Sequence, residues 1–285
     1  ALSGDGLTVG QTPPLHDPAV FQIVTGNGNV DLFIAAIGDD TLQHWQGGDG
    51  VWSASNPQWN NRNGTVAANW SGQHAVFRHQ PGGYSGGVIT VDGAQTFKGL
   101  QFVDDGYRLE GSGSLVTDAN GSEIRVLANG ARIDATITGA GGLIVTQGGV
   151  LTLSGANSYA GGTTLRGGVV AVSQDANLGH ADGALRFDGG ALRVTGTDFN
   201  GTDRAIGWSA AGGAFDITDA ANRFEVSADI NGAGALIKRG EETLILSGDN
   251  AFGGARIEDG GLIGTTSSLF GDIALISASS RLSLV

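Results

Sequence analysis

One short motif in this chain has the spacing of a hydrolase nucleophile. The segment G-Y-S-G-G at residues 83–87 would place Ser85 in a nucleophile elbow. Such an elbow needs a buried strand before the serine and a helix after it. The residues after Ser85 instead alternate as a strand, and His180, the one downstream histidine, lies in a glycine-rich turn. We therefore predict that Ser85 lies in a plain turn and that the chain has no catalytic residue.

Candidate metal ligands are equally isolated. His74 and His79 flank the segment A-V-F-R, and the two-residue period of a strand turns them to opposite faces. Calcium-binding nonapeptide repeats need G-G-x-G-x-D in tandem, and the glycine-aspartate runs at 47–50 and 187–190 do not continue in that way. Carboxylates are spread singly, without the clustered pair that glycoside cleavage uses. The sequence predicts neither a metal site nor a cofactor.

A tryptophan-rich stretch is the best candidate for an interaction site. Aromatic rings and arginine are enriched at binding hot spots. The candidate binding residues are Trp52, Trp59, Asn61, Arg62 and Trp70, with Trp45 and Asn60 beside them. The alternative is that the rings pack over an irregular coil or a small hairpin. We favour packing for the rings and predict a protruding polar loop within residues 56–69.

Composition excludes several classes of protein. The chain has 285 residues, of which 51 are glycine and none is cysteine, and a formal net charge of −13. The negative charge repels phosphate backbones and argues against a nucleic-acid partner. The lack of cysteine removes disulfides, thiolate nucleophiles and cysteine-based zinc sites. Because Met is absent even at position 1, we expect a fragment of a longer protein.

The chain repeats itself internally. Residues 137–170 align without a gap over residues 230–263, with 14 of 34 positions identical. The pattern slips at 163–166 against 256–259, where the second copy is imperfect. Fixed-period self-similarity is typical of solenoids and other repeat architectures.

Within the copies the hydrophobic period is two. Leu151 and Leu153 alternate with Val150 and Thr152, and similar pairs recur along the chain between glycine, asparagine and aspartate. This pattern predicts short, half-buried strands, and no window has a helical period with caps. A sandwich is usually shorter and has no long internal repeat. We predict an all-β, elongated parallel β-helix of about a dozen coils, with glycines at the corners.

Residues 148–168 resemble the passenger-associated transport repeat of bacterial autotransporters, whose pattern reads G-T-L-T-L-S-G-x-N-x-Y-x-G-G-T-T. The matching positions in the first copy are Leu151, Leu153, Ser154, Gly155, Asn157, Tyr159, Gly161, Gly162 and Thr163. The second copy keeps Leu244, Leu246, Ser247, Gly248 and Asn250, and places Phe252 at the tyrosine position. Lys238 fits a lysine of the family that the first copy replaces with Val145. The tryptophan-rich segment is similar to one that is common in the same passengers.

The resemblance implies a right-handed parallel β-helix that is exported through the outer membrane by its own C-terminal β-barrel, which this sequence does not contain. It also implies a location on the bacterial cell surface, or secretion after cleavage. In that family the repeats assist folding and secretion. The in-phase residues Asn157 and Asn250 are expected to be turn residues that bond their own backbone.

Three functions stay open at this point. The first is a non-enzymatic adhesin or stalk that contacts host-cell glycoproteins or extracellular matrix. The second is the scaffold of a passenger enzyme, such as a protease or esterase, whose catalytic domain lies elsewhere. The third is a self-associating adhesin for aggregation. For organisation, we predict N-terminal coils at 1–44, a tryptophan-rich segment at 45–110 and further coils with both repeats at 111–285.

Overall fold

The computed structural model describes residues 19–26, 29–37, 40–60, 68–78, 86–269 and 271–285, with side-chain environments from residue 42 onward. The chain is all-β, with 2% helix, and its parallel strands form a β-solenoid of about 10 turns. This confirms the predicted β-helix, with somewhat fewer coils than the dozen expected. Among the described residues, no helix combines the length and the apolar character that crossing a membrane requires.

The strands are short, since most are three to five residues long. They are β1 Ala19–Gly26, β2 Asn29–Ile37, β3 Asp40–His44, β4 Gly50–Trp52, β5 His74–Phe77, β6 Gly87–Val91, β7 Ala94–Phe97, β8 Gly99–Phe102, β9 Tyr107–Glu110, β10 Ser114–Thr117, β11 Ser122–Val126, β12 Gly130–Ile133, β13 Thr136–Thr138, β14 Leu143–Thr146, β15 Val150–Leu153, β16 Thr163–Arg166, β17 Val169–Val172, β18 Leu185–Phe187, β19 Ala191–Val194, β20 Gly201–Thr202, β21 Ile206–Trp208, β22 Gly213–Ile217, β23 Arg223–Val226, β24 Leu236–Arg239, β25 Thr243–Leu246, β26 Ala255–Ile257, β27 Gly261–Gly264, β28 Ile273–Leu275 and β29 Arg281–Leu284. A 3₁₀ helix, Asp175–Leu178, lies between β17 and β18.

The strands stack into three faces. The first face has the order β1-β2-β3-β5-β8-β11-β14-β16-β18-β21, and the second runs from β4 through β6, β9, β12, β15, β17, β19, β22, β24 and β26 to β28. The third face holds two separate sheets, β7-β10-β13 and β20-β23-β25-β27-β29. Apart from β1 with β2 and β2 with β3, the paired strands are parallel. Successive coils thus add strands to these faces, although among the described residues the third face has no strand between β13 and β20 and the first face has none after β21.

The core is a set of columns of inward side chains. On the second face, strand register places one inward side chain of each coil directly on that of the next. This column contains Ala131, Leu151, Val170, Leu192, Phe215, Lys238 and Ile257. Leu151 and Leu153 are buried as the alternation predicts, and so are Leu244 and Leu246 in the second copy.

The N-terminal strands differ from the coils predicted for residues 1–44. Strands β1 and β2 pair antiparallel as a hairpin, and β3 is the first strand that pairs parallel with the solenoid, through β5. Strands β4 to β9 lie in the same faces as the strands of residues 111–285. The boundaries at residues 44 and 110 stay predictions.

The two repeat copies are offset by one residue in their second halves. Tyr159 corresponds to Phe252, but the inward Leu165 corresponds to Ile257. Ala160 therefore has no counterpart in the second copy. The gapless alignment is wrong beyond this turn, and the missing residue explains the slip in the sequence pattern.

The second copy is also turned about the solenoid axis. In the first copy, β14 lies on the first face and β15 on the second. The equivalent strands of the second copy, β24 and β25, lie on the second and third faces. The same sequence motif therefore lies on the first and second faces in the first copy, and on the second and third faces in the second copy.

A cation interrupts the apolar column of the second face. Lys238 is fully buried between Phe215 and Ile257. Its ammonium donates to the carbonyl oxygens of Arg239, Gly240 and Asp259 at 2.5, 2.7 and 3.2 Å. The alkyl stem fills the column while the charge reaches the corner. Burial lowers the pKa of Lys238 from 10.5 to about 8, and the nearby carboxylates of Asp216, Asp259 and Glu242 oppose that effect.

The lowered pKa of Lys238 predicts a specific pH dependence of stability. Between about pH 8 and 10.5 the unfolded chain binds more protons at this lysine than the folded chain. The free energy of unfolding should therefore rise with pH across this window, by up to roughly 3 kcal/mol. Denaturant titrations of the natural protein and of Lys238→Met at several pH values will measure this. Parallel pH profiles for the two proteins would contradict the assignment.

Candidate functional site

The tryptophan-rich segment forms a compact aromatic cluster. Trp45, Trp52 and Trp59 are each fully buried. The ring centroid of Trp59 lies 5.1 Å from that of Trp45 and 4.9 Å from that of Trp52, in edge-to-face arrangements. Trp70 is partly buried, with its ring centroid 4.7 Å from that of Trp59. Such geometry is favourable for aromatic pairs beyond the area that they bury.

Local pairing positions these rings at the N-terminal end of the second face. Trp52 is the last residue of β4, the N-terminal strand of that face. Isolated antiparallel bridges join Trp59 to Trp45 and to Ala68. The ring centroids of Trp52 and Trp59 lie 6.0 and 5.8 Å from that of Phe77, an inward side chain of the first face. The cluster thus belongs to the hydrophobic core, at its N-terminal end among the described residues.

Of the sequence-predicted binding residues, the three tryptophans come together in this cluster, and only Trp70 is partly exposed. Trp52 and Trp59 are enclosed by other rings, as the packing alternative has it. Trp70 uses its indole N–H to donate to the carbonyl of Thr96 at 2.7 Å. Asn61 and Arg62 lie outside the described residues, as do Ser85 and His79. A binding role for these residues stays a prediction.

The asparagines of the two repeats join neighbouring coils. Asn157 accepts from the backbone N–H of Ile137 at 2.7 Å and donates to the carbonyl of Asn177 at 2.6 Å, each 20 residues away. Asn250 accepts from Ile230 N–H at 2.7 Å and donates to the carbonyl of Ser268 at 2.9 Å.

The expectation that both asparagines bond their own turn is wrong for Asn157. It holds only for one bond of Asn250, which donates to the carbonyl of Gly248 at 3.1 Å. Both side chains are buried. Each one connects three successive coils through backbone groups that secondary structure leaves unpaired.

Two residues before each asparagine, close contact between coils requires a glycine. A Cβ atom on Gly155 would lie 2.7 Å from the carbonyl oxygen of Ala135, and one on Gly248 would lie 2.7 Å from that of Ala228. Side chains do not tolerate such distances. A larger residue would push adjacent coils apart at the corner where the asparagine binds them.

The aromatic position of the repeat changes together with its partner. The Tyr159 hydroxyl lies 2.7 Å from the Thr163 hydroxyl, and both groups are buried. Burial raises the pKa of Tyr159. In the second copy Phe252 takes the place of Tyr159, and Ala255 takes that of Thr163. Both hydroxyls are absent there, so neither is left unpaired in the core.

A buried arginine that sequence reasoning missed holds the segment after β17. Arg204 is 3% exposed and binds Asp175 through two hydrogen bonds of 2.7 and 2.6 Å. Its guanidinium also donates to the carbonyls of His180 and Gly183 at 2.7 and 2.9 Å. Because these partners lie 21–29 residues earlier, no local pattern predicts the contact.

The outer side of the first face carries a hollow of about 200 Å³ that sequence reasoning also missed. Strands β3, β5, β8 and β11 form its floor and walls. Its polar and apolar walls come from Leu42, His74, Gly99, Gln101, Glu123 and Arg125. Neither here nor in the other described residues is a group of three or more His, Asp or Glu side chains placed to hold a metal ion.

These features define a parallel β-solenoid whose repeats are joined through buried asparagines. Residues 143–172 and 236–263 match the passenger-associated transport repeat family. The chain is also 40% identical over 219 residues to the adhesin BmaC autotransporter of Brucella suis biovar 1 (strain 1330). The match covers 72% of this chain and 6% of that protein's length. No solved structure matches the chain. These matches identify the chain as part of an autotransporter passenger with passenger-associated transport repeats.

Removal of the Asn157 amide should destabilise the solenoid. Asn157→Ala leaves the N–H of Ile137 and the carbonyl of Asn177 without a side-chain partner. We expect a loss of about 2–4 kcal/mol in the free energy of unfolding, measured with denaturant. Asn129→Ala, at an exposed asparagine that bonds Asp105, is the matched control and should cost less than about 1 kcal/mol. Equal losses for the two variants would contradict the coil-joining role.

Removal of the Trp59 ring, which contacts the other rings of the cluster, should lower the stability of the fold. Trp59→Ala removes a fully buried ring and should lower the free energy of unfolding by about 3–5 kcal/mol. Trp59→Phe keeps an aromatic ring in the cluster and should cost clearly less. Denaturant titrations and near-UV circular dichroism will compare the two. A Trp59→Ala protein as stable as the natural one would show that the ring has no packing role.

Proposed function

We propose that the chain is part of a surface-exposed passenger that acts as a non-enzymatic adhesive rod. Its contacts would be with host-cell glycoproteins or extracellular matrix. The observation that carries the proposal is the 40% identity to an autotransporter that is named an adhesin. Because the match covers 6% of that protein, the activity of the whole passenger is part of the proposal as well.

The solenoid supports adhesion through its outer faces. On the second face, arginines and carboxylates form ion pairs along the strands, for example Arg193 with Asp216 at 2.7 Å and Arg239 with Glu258 at 2.9 Å. These paired side chains would present a partner with a polar surface of both charge signs. Repeated weak contacts along such a surface add up when several sites are engaged together.

The transport repeats support an export route as part of the same proposal. An outer-membrane β-barrel of the full-length protein would be the partner in export, and the passenger would then stand on the cell surface or be released. The support for this route is the match of residues 143–172 and 236–263 to the passenger-associated transport repeat family.

Adhesion can be measured with the purified chain. We expect saturable binding to immobilised matrix proteins or to host cells, and an increase of at least about 10²-fold in apparent affinity when the biotinylated chain is tetramerised on streptavidin. The unfolded chain is the control for non-specific binding. Sedimentation velocity on the same sample distinguishes adhesion by single rods from self-association. If neither the chain nor the full passenger binds cells or matrix, the proposal is wrong.

A further inference from the structure

The hollow on the first face is lined by a row of four residues on adjacent strands and by side chains next to that row. Leu42, His74, Gly99 and Glu123 are neighbours in register on four adjacent strands. Gly99 supplies no side chain, and the His74 ring leans over its backbone, since a Cβ atom on Gly99 would lie 2.6 Å from His74 Nδ1. The hollow has a volume of about 200 Å³. It is smaller than the pockets of drug-sized ligands and has room for a single sugar ring.

Arg125 lines this hollow with an incompletely paired guanidinium. Its nearest carboxylate oxygen, on Glu123, is 3.9 Å from Nε, and Nε is buried without a hydrogen-bond partner among the described residues. Other arginines on the outer faces are closely paired, such as Arg132 with Asp134 at 2.8 Å and Arg166 with Asp188 at 2.9 Å. The Arg125 side chain is 42% exposed, so the outer part of its guanidinium can donate hydrogen bonds to an anionic group from outside the chain.

Acceptors and an apolar wall accompany this donor. The Glu123 carboxylate accepts from the Thr146 hydroxyl through one oxygen, at 2.7 Å, and is 45% exposed. Gln101 adds an amide that can both donate and accept. Leu42 supplies an apolar surface at the end of the row. A ligand for these groups needs one negative charge, several hydroxyls and an apolar face.

We propose that this hollow binds a single carboxylated sugar residue, such as a uronate at the end of a glycan. The sugar carboxylate would bond Arg125, and its hydroxyls would bond Glu123 and Gln101. The net charge of −13 disfavours a polyanionic chain, whereas one carboxylate matches one arginine. The inference rests on the proposed adhesive function, because it names the chemical group that a host glycan would present.

Titration of the folded chain with methyl β-D-glucuronide will test the inference. Saturation-transfer NMR should show contact with the glucuronide and at least about tenfold weaker binding of methyl β-D-glucoside, which lacks the carboxylate. Arg125→Gln should abolish glucuronide binding. Arg132→Gln, at a paired arginine of similar exposure on the second face, should leave it unchanged. Equal binding by the two variants would overturn the inference.

Two further measurements separate the possible outcomes. N-acetylaspartate methylamide presents a carboxylate as an acidic peptide does, and tighter binding of this probe than of the glucuronide would overturn the choice of a sugar. Adhesion to matrix and cells is measured on the same samples. Adhesion without glucuronide binding refutes the sugar site alone, and glucuronide binding without adhesion refutes the proposed function while the site remains.

Discussion

The fold depends on in-register contact between one coil and the next. Each strand of the solenoid forms its hydrogen bonds with strands of the neighbouring coils, so a coil cannot be completed alone. This constraint explains the close approach at Gly155 and Gly248, where the backbones of adjacent coils leave no room for a Cβ atom. It also explains why inward side chains form columns, because register aligns equivalent positions one above another.

Polar groups inside the solenoid follow from the same constraint. Corners leave backbone carbonyls and N–H groups unpaired, and buried unpaired groups are costly. Asn157, Lys238 and Arg204 each place a polar side chain against such groups. These residues occupy interior positions, yet none is isolated from hydrogen-bond partners. Their burial is thus a requirement of the corners and gives no indication of catalysis.

The sequence predicts the repetitive part of this structure well. Alternation at Leu151 and Leu153 and the internal repeat indicate strands, stacking and a solenoid, because these depend on local period. The turn of the second copy by one face was not predictable, since it depends on how many coils lie between the copies. Packing of Trp59 was the favoured prediction, whereas the hollow beside Arg125 escaped prediction, because it arises from strands that are distant in sequence.

The one-face turn between the copies has a consequence for how such a protein changes length. From β14 to β24 the chain makes four complete coils and then advances from the first face to the second. Unequal recombination between the two repeat segments would therefore delete or add a non-integral number of coils. Everything beyond the junction would rotate by about a third of a revolution. Variation in repeat number can thus turn the outer faces of the later coils about the solenoid axis.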